Sequence, residues 1–135
     1  MIKAVLDTVV FVRALINPHG PSGKIIKKIE KFDIVTSPPI IKEVLEVLFR
    51  SSLQKKFRLS QLVDIEEILE VIKQASVVKP KEKIKICRDP KDNKFLECAL
   101  AGKADYIISE DKDLLVLKKY KETKIINTKT FLQLL

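Results

Sequence analysis

The stretch "DPKDNKFLECALAGKADYIISEDKDLL", residues 89–115, contains in close succession a helix, a strand and a second helix. Its Asp-Pro pair is a typical helix start, and Phe95, Leu96 and Ala99 recur at the spacing of one apolar helix face. Gly102 is predicted to end this helix at the C′ position. The next residues, "DYIIS", are short, β-branched and apolar, which indicates a buried strand. The stretch therefore predicts the helix–strand alternation of an α/β protein.

The rest of the chain repeats this alternation. "IKAVLDT", "DIVTS" and "TKIIN" are predicted strands, "ASVV" is a weaker one, and helical patterns separate them. Right-handed helical crossovers between such strands give a parallel sheet that helices cover on both faces. We predict a single α/β domain over residues 1–135, with a central parallel sheet of about four to five strands flanked by helices on both faces.

Composition excludes several other classes of protein. Of the 135 residues, 46% are hydrophobic and 33% are charged, which is typical of a globular protein. No window approaches the roughly 20 apolar residues of a membrane span, so we expect a cytoplasmic protein with no membrane partner. Two cysteines and one histidine are too few for a disulfide framework or a structural zinc site. We expect Cys87 and Cys98 to be buried and His19 to be solvated.

Four acidic residues are predicted to converge on one edge of the sheet. Asp7 and Asp111 each follow the end of a predicted strand, where the ligand crevice of an open parallel sheet lies. Asp92 shares the inward face of its helix, and Glu43 borders the apolar arc of another. Side chains in these positions point toward the sheet rather than into solvent.

Each acid also has a purely structural alternative. Asp7 could end its strand as a turn residue, and Asp92 could be an early helix residue favoured by the helix dipole. Either Asp111 or Asp113 could cap the short helix that follows the fourth strand. Glu43 could pair with a lysine. The convergence of all of them on one edge favours a shared chemical role over four separate structural ones.

Converging carboxylates repel one another unless a cation or a proton compensates their charge. Because the site would offer oxygen ligands and almost no imidazole, it favours Mg²⁺ or Mn²⁺, as one ion or as a pair about 4 Å apart. Such ions activate water for attack on a phosphodiester. The predicted metal ligands are Asp7, Glu43, Asp92, Asp111 and Asp113.

The remaining charge is strongly basic. The chain carries 26 Lys and Arg against 18 Asp and Glu, so setting the five candidate ligands aside leaves 13 acids and a net charge of +13. A field of this sign attracts a polyanion such as RNA to the acidic site. The predicted RNA contacts are Arg13, Lys24, Lys27, Lys28, Arg50, Lys55, Lys56, Arg58 and the lysines of residues 79–85.

The segments that carry these acids resemble the ordered motifs of PIN-domain nucleases, and more narrowly those of the toxins of toxin–antitoxin pairs. They are "VLDTVVFVRAL", "IIKEVLEVL", "DPKDNKFLECALAGKADYIIS" and "SEDKDLL". The resemblance implies a PIN-like fold and Mg²⁺- or Mn²⁺-dependent cleavage of single-stranded RNA, leaving 5′-phosphate and 3′-hydroxyl ends. It also implies a homodimer and an antitoxin protein whose segment blocks the cleft.

The resemblance also assigns individual residues. Its catalytic quartet corresponds to Asp7, Glu43, Asp92 and Asp111, with Asp113 as an accessory acid. Thr8 and Ser109 are supporting residues, and Ser109 is expected to hydrogen-bond a site carboxylate. The family commonly has Asn where this chain has Val9, and often Gly where it has Glu110, which adds a charge beside the site.

Two alternatives remain open at this stage. The first is a catalytically weak PIN domain that binds RNA or a protein partner in RNA processing, which Val9 favours. The second is a phosphoacceptor signalling domain, which has a similar length and a parallel sheet. Such domains need paired acids after the first strand and a lysine after the last, where this chain has Asp7 alone and then Asn127.

Overall fold

The computed structural model describes residues 1–50 and 62–135, with the side chains of residues 62–64 left out. Its strands are β1 Lys3–Leu6, β2 Asp33–Thr36, β3 Ser76–Val77, β4 Tyr106–Ile108, β5 Lys119–Tyr120 and β6 Thr123–Ile126. Its helices are α1 Thr8–Ile16, α2 Pro21–Lys27, α3 Pro38–Leu48, α4 Leu62–Gln74, α5 Asn93–Gly102, α6 Lys112–Leu115 and α7 Thr128–Leu134. Short 3₁₀ turns occupy Ile29–Lys31 and Pro90–Asp92.

The strands form one sheet in the order β3-β2-β1-β4-β6-β5. All neighbouring pairs are parallel except β5 with β6, which is antiparallel. The predicted α/β class and parallel sheet are thus confirmed. The antiparallel edge strand β5 was not predicted, because the polar segment around Lys119–Tyr120 has no apolar alternation. It pairs with β6 through a tight turn in which Lys121 has a positive φ of 50°.

The core lies on both faces of the central strands. In β1 the side chains of Ala4, Val5 and Leu6 are almost fully buried, as expected for a strand covered on both sides. Helix α5 packs over β1, β2 and β4. Helix α2 packs against both α1 and α7, and Phe131 of α7 meets the ring of Phe32 edge-on, with 5.0 Å between ring centroids.

The end of α5 differs from the prediction for Gly102. The left-handed residue is Lys103, with φ 51°, and Gly102 is the last residue of the helix itself. A Cβ at Gly102 would lie 2.4 Å from Cγ1 of Val35 on β2. The position therefore needs glycine because the helix end approaches the sheet closely, and not because of its backbone conformation.

The topology brings three chain segments to one edge of the sheet. Strands β1 and β4 are neighbours, with Leu6 opposite Ile108, and the Asp7 N–H donates to the Ile108 carbonyl at 3.1 Å. The residues that follow both strands therefore lie side by side. The start of α5 reaches the same edge, where Asn93 Oδ1 accepts the Cys87 N–H at 2.9 Å and fixes the incoming loop.

The structure confirms that the two cysteines are buried and that the histidine is solvated. Cys87 and Cys98 are both buried free thiols, and burial raises their pKa values to about 11 and about 12. His19 is exposed. Over residues 1–50 and 62–135, every helix is too short or too polar to cross a bilayer.

Candidate metal centre

Asp7 is held rigidly at the junction of β1 and α1. It is the N-cap of α1, and its Oδ1 accepts the Val10 N–H at 3.0 Å. Its Oδ2 accepts the hydroxyl of Ser109, the residue after β4. The side chain is only 2% exposed, and this burial raises its pKa from 3.8 to about 6 although both hydrogen bonds oppose the rise. Asp7 is therefore a helix cap, and burial in the folded protein destabilises its ionised form.

A chain of hydrogen bonds links Asp7 to the acids after β4. The Ser109 hydroxyl, which donates to Asp7, also accepts the Asp111 N–H at 2.9 Å. Asp111 Oδ1 in turn accepts the Asp113 N–H at 2.9 Å and caps α6. The capping role considered for Asp111 is thus present in the structure. A cap uses one carboxylate oxygen, so it is compatible with a further role of Asp111 at the site.

Asp92 is the acid whose position local structure explains least. It ends the turn Pro90–Asp92, but its side chain makes no capping hydrogen bond to α5, whereas Asp89 caps the turn by accepting the Lys91 N–H at 3.0 Å. Asp92 is 9% exposed, and its Oδ2 is buried with no hydrogen-bond partner among the described residues. Burial, followed by the charge of Asp111, raises its pKa from 3.8 to about 7.

Asp92, Asp111 and Asp113 form a compact cluster. One carboxylate oxygen from each lies within 4.8 Å of the other two. Oxygen ligands about 2.1 Å from an octahedral Mg²⁺ are separated by roughly 3 to 4 Å, so small side-chain rotations would complete such a geometry. Arg88 lies at the outer edge, with Nη1 3.8 Å from Asp113 Oδ1 in an exposed ion pair. The donor set therefore fits a hard divalent cation.

Glu43 is engaged by two partners from different elements. Its Oε1 accepts a hydrogen bond from Lys94 Nζ at 2.8 Å, and its Oε2 accepts the Thr8 hydroxyl. The Lys94 and Glu43 side chains are 19% and 27% exposed, so the ion pair is largely shielded from solvent. The alternative of a lysine partner for Glu43 is thus realised.

Lys94 was missing from the candidate residues, although the sequence carried a signal for it. It is the second residue of α5, where a positive charge opposes the helix dipole unless an acid balances it. A lysine in the first turn of a helix, two residues after a candidate ligand, indicates a paired cation at the site.

The four predicted quartet acids line one cleft of about 300 Å³. Its acids follow β1 and β4, precede α5 and lie on α3, and most of the remaining lining is apolar. The lining residues are Asp7, Thr8, Val9, Val12, Glu43, Val47, Asp92, Phe95 and Asp111. The structure thus gathers these acids at the edge where the topology predicted them.

Glu110, which was expected to add a charge beside the site, does not line this cleft and is bound by residues of other elements. Its Oε1 accepts both the N–H, at 3.0 Å, and the hydroxyl of Thr128, the first residue of α7. Its Oε2 lies 3.9 Å from Nη1 of Arg13. Glu110 therefore anchors the N-terminus of α7 and has a structural role.

The predicted RNA-contacting residues lie around the molecule rather than in the cleft. Within the described ranges, Arg13, Lys24, Lys27 and Arg50 are exposed and Lys28 is half-buried, and none of them lines the cleft. The lysines of residues 79–85 are exposed, and Lys79 and Lys83 line a second depression together with Lys94. Lys55, Lys56 and Arg58 lie outside the described residues.

The sheet order and the acid-lined cleft define an α/β protein with a carboxylate site of the kind that binds divalent metals. A PIN-domain profile matches residues 3–113, and the chain belongs to the PIN-domain family, a family of nuclease domains. The resemblance in the sequence motifs is thereby confirmed, and the signalling-domain alternative is set aside.

The chain is also similar to individual proteins. An uncharacterized protein of Methanocaldococcus jannaschii is 41% identical over 123 residues, which cover 87% of this chain and 76% of that protein. The crystal structure of PAE2754 from Pyrobaculum aerophilum superposes with a TM-score of 0.63 at 17% identity, covering 98% of this chain and 88% of that one. VapBC2 from Rickettsia felis, solved with a DNA fragment from its promoter, gives 0.59 at 13% identity, covering 93% and 98%. These two structures share the fold of this chain.

Proposed function

We propose that this protein is a Mg²⁺- or Mn²⁺-dependent endoribonuclease that cleaves single-stranded RNA, and that it is the toxin of a toxin–antitoxin pair in the cytoplasm. The observation that carries the proposal is the buried Asp92 Oδ2, which has no hydrogen-bond partner among the described residues and belongs to a cluster with Asp111 and Asp113. A buried carboxylate oxygen without a donor is unfavourable unless a proton or a cation compensates its charge, and one divalent ion can compensate Asp92 and Asp111 together.

The proposed ligands are the acids that meet at the strand ends. Asp92, Asp111 and Asp113 hold the ion, and Asp7 borders the same cleft through its link to Ser109. When bound, a divalent ion of this kind polarises the phosphate and lowers the pKa of a water molecule that attacks phosphorus. The all-oxygen ligand set favours Mg²⁺ or Mn²⁺ over softer metals.

The protein residues hold this arrangement in place before substrate arrives. Ser109 donates to Asp7 and accepts from the Asp111 N–H, so that one hydroxyl fixes the relative position of two acids from different strands. Thr8 donates to Glu43 across the cleft. Such preorganised groups need little rearrangement when charge develops on the phosphate.

The cleft and its surroundings suit a single-stranded polyanion. Val9, Val12 and Val47 give the cleft an apolar wall beside the acids, against which an unstacked base can pack. Exposed basic side chains such as Lys79 and Lys83 supply phosphate contacts outside the acidic edge. A folded RNA duplex would not present its bases to such a wall.

The toxin role rests on the family assignment and on the fold shared with VapBC2 of Rickettsia felis. By analogy, the chain would form a homodimer, and a segment of an antitoxin protein would fill the cleft. The apolar wall beside the acids offers a surface for such a segment. Co-expression with a candidate antitoxin protein, followed by purification of a complex, tests this part of the proposal.

The central test is incubation of the protein with labelled single-stranded RNA and Mn²⁺. We expect internal cleavage that EDTA abolishes and that Asp7→Asn reduces at least about 100-fold without loss of the folded state. Asp33→Asn, which alters an exposed acid at the start of β2, is the matched control and should cleave like the parent. An Asp7→Asn variant as active as the parent would refute the proposal.

A second candidate is a catalytically weak PIN domain that binds RNA or a protein. Val9 favours it, because this residue lines the cleft and is 38% exposed where the family commonly has Asn. This candidate predicts salt-sensitive RNA binding with no product at any Mn²⁺ concentration. Val9→Asn would then restore a polar group to the cleft, and a gain of cleavage in this variant alone would favour the second candidate.

A further inference from the structure

We infer that Lys94 is the second cation of the metal centre, so that the site binds one divalent ion and not two. This inference rests on the proposed function and specifies how the site is built. Two groups of acids are relevant here, the cluster of Asp92, Asp111 and Asp113, which Asp7 joins through Ser109, and Glu43 on α3. Among the described residues, the cluster has the exposed Arg88 as its ion-pair partner, whereas Glu43 has the shielded Lys94.

The ion pair occupies the place that a second metal would need. Lys94 Nζ is 2.8 Å from Glu43 Oε1, and the Thr8 hydroxyl donates to Oε2. Each oxygen of Glu43 therefore has a donor of its own. A divalent ion bound to Glu43 would lie about 2.1 Å from one of these oxygens, close to the ammonium group, and the two positive charges would repel.

The surroundings of Lys94 keep it in this position. The residue follows Asp92 and Asn93 at the start of α5, and Asn93 is fixed by its hydrogen bonds to the Ile86 and Cys87 N–H groups. The Lys94 side chain is 19% exposed, and its Nζ lies 5.9 Å from the centroid of the Phe95 ring. A lysine this shielded, at the unfavourable end of a helix dipole, depends on Glu43 for its stability.

The arrangement gives Lys94 a role toward substrate. Its ammonium carries three N–H donors, of which Glu43 accepts one, and the others can bind a phosphate oxygen. Lys94 also lines the depression that contains Lys79 and Lys83, together with the acids Glu82 and Glu97. It therefore connects Glu43 of the acidic cleft with a neighbouring depression in which lysines outnumber acids by three to two.

The test is the number of Mn²⁺ ions bound in the absence of RNA, measured by titration calorimetry on the full chain. We expect one ion for the parent and for Lys94→Arg, and two for Lys94→Met, which frees Glu43 as a ligand. Lys91→Met removes an exposed lysine from the turn three residues earlier and should bind one ion. Two ions in the parent, or one ion in a folded Lys94→Met variant, would overturn the inference.

A double variant separates a ligand role of Glu43 from a charge-balancing role. Glu43→Gln combined with Lys94→Met removes both charges and should bind one Mn²⁺ with an affinity within about threefold of the parent. If Glu43 were a ligand of the ion, the affinity would fall at least about 10-fold, and the inference would fail. A parent protein that binds no Mn²⁺ at all would overturn the proposed function itself, so the two failures are distinct.

Discussion

Asp7→Asn should stabilise the metal-free protein while it removes the activity. The carboxylate of Asp7 is 2% exposed, and its pKa is raised from 3.8 to about 6. The folded protein therefore binds this proton more tightly than the unfolded chain does, and folding is disfavoured wherever the unfolded chain is ionised. A difference of about two pKa units corresponds to about 3 kcal/mol at neutral pH and above.

Because the pKa of Asp7 is raised in the folded protein, the free energy of unfolding depends on pH in a defined direction. Well below pH 3.8 Asp7 is protonated in both states, and the raised pKa has almost no effect on stability. Between about pH 4 and pH 6 the unfolded chain loses its proton first, so the free energy of unfolding falls as pH rises. An asparagine has no such transition, and its Oδ1 can still accept the Val10 N–H that Asp7 accepts at 3.0 Å. Its amide nitrogen cannot accept the Ser109 hydroxyl as Oδ2 does, so the gain is smaller than the full cost of the charge.

The measurement is urea unfolding of parent and variant in EDTA at pH 3.5 and pH 8. We expect nearly equal stability at the lower pH and a gain of about 2 to 3 kcal/mol for Asp7→Asn at pH 8. This gain corresponds to an increase in Tm of roughly 10 °C for a domain of this size. Asp33→Asn, at an exposed acid, should change the stability by less than about 0.5 kcal/mol at both values.

Saturating Mn²⁺ should cancel most of this difference in stability between the two proteins. An ion present at 100 times its Kd adds about 2.7 kcal/mol to the parent, and the variant should gain far less. A loss of stability at pH 8, or a gain of equal size at pH 3.5, would show that the burial of the Asp7 charge is not what opposes folding.

Two further predictions concern residues outside the chemistry. Glu110→Ala should lower the free energy of unfolding by about 1 to 2 kcal/mol, because the Thr128 N–H and hydroxyl lose their acceptor at the start of α7, and RNA cleavage by the folded protein should not change. The control is Glu122→Ala, at an exposed acid. A loss of cleavage in Glu110→Ala would show that Glu110 contributes to the cleavage site. Gly102→Ala should destabilise the protein by about 1 to 3 kcal/mol by thermal unfolding, since its Cβ would lie 2.4 Å from Val35, whereas an alanine in an open helix would stabilise it. Val35→Ala in the same chain should recover much of the loss, and an increase in Tm for Gly102→Ala alone would contradict the close approach of α5 to β2.

The location of the acids could be predicted from sequence because it depends on backbone topology. Parallel strands end at a common edge, so Asp7 and Asp111 had to lie near each other once β1 and β4 were neighbours. The inward position of Asp92 followed from helical periodicity in the same way. These arguments need only the direction of strands and the phase of helices.

The partners of the charged side chains could not be predicted in this way. Glu43, Thr8 and Lys94 belong to three different helices, and their contacts depend on side-chain conformations and on how those helices pack. Glu110 follows β4 directly, like its neighbours, yet it turns toward α7 because Thr128 offers two donors there. Strand β5 was missed for a related reason, since a pair of polar residues at a sheet edge has no periodic pattern.

Asp92 differs from the other acids around this site in its hydrogen bonding. Asp89, Asp111 and Glu110 each accept a backbone N–H at the start of a helix or turn, and such contacts alone would explain an acid at each position. Asp92 is buried, lies next to Asp111, and leaves Oδ2 without a donor among the described residues. Natural folds rarely leave a buried carboxylate oxygen in that state without a functional reason. For this reason the case for a bound cation depends on Asp92 more than on the number of acids nearby, and Asp92→Ala should abolish Mn²⁺ binding in the same titration that counts the ions.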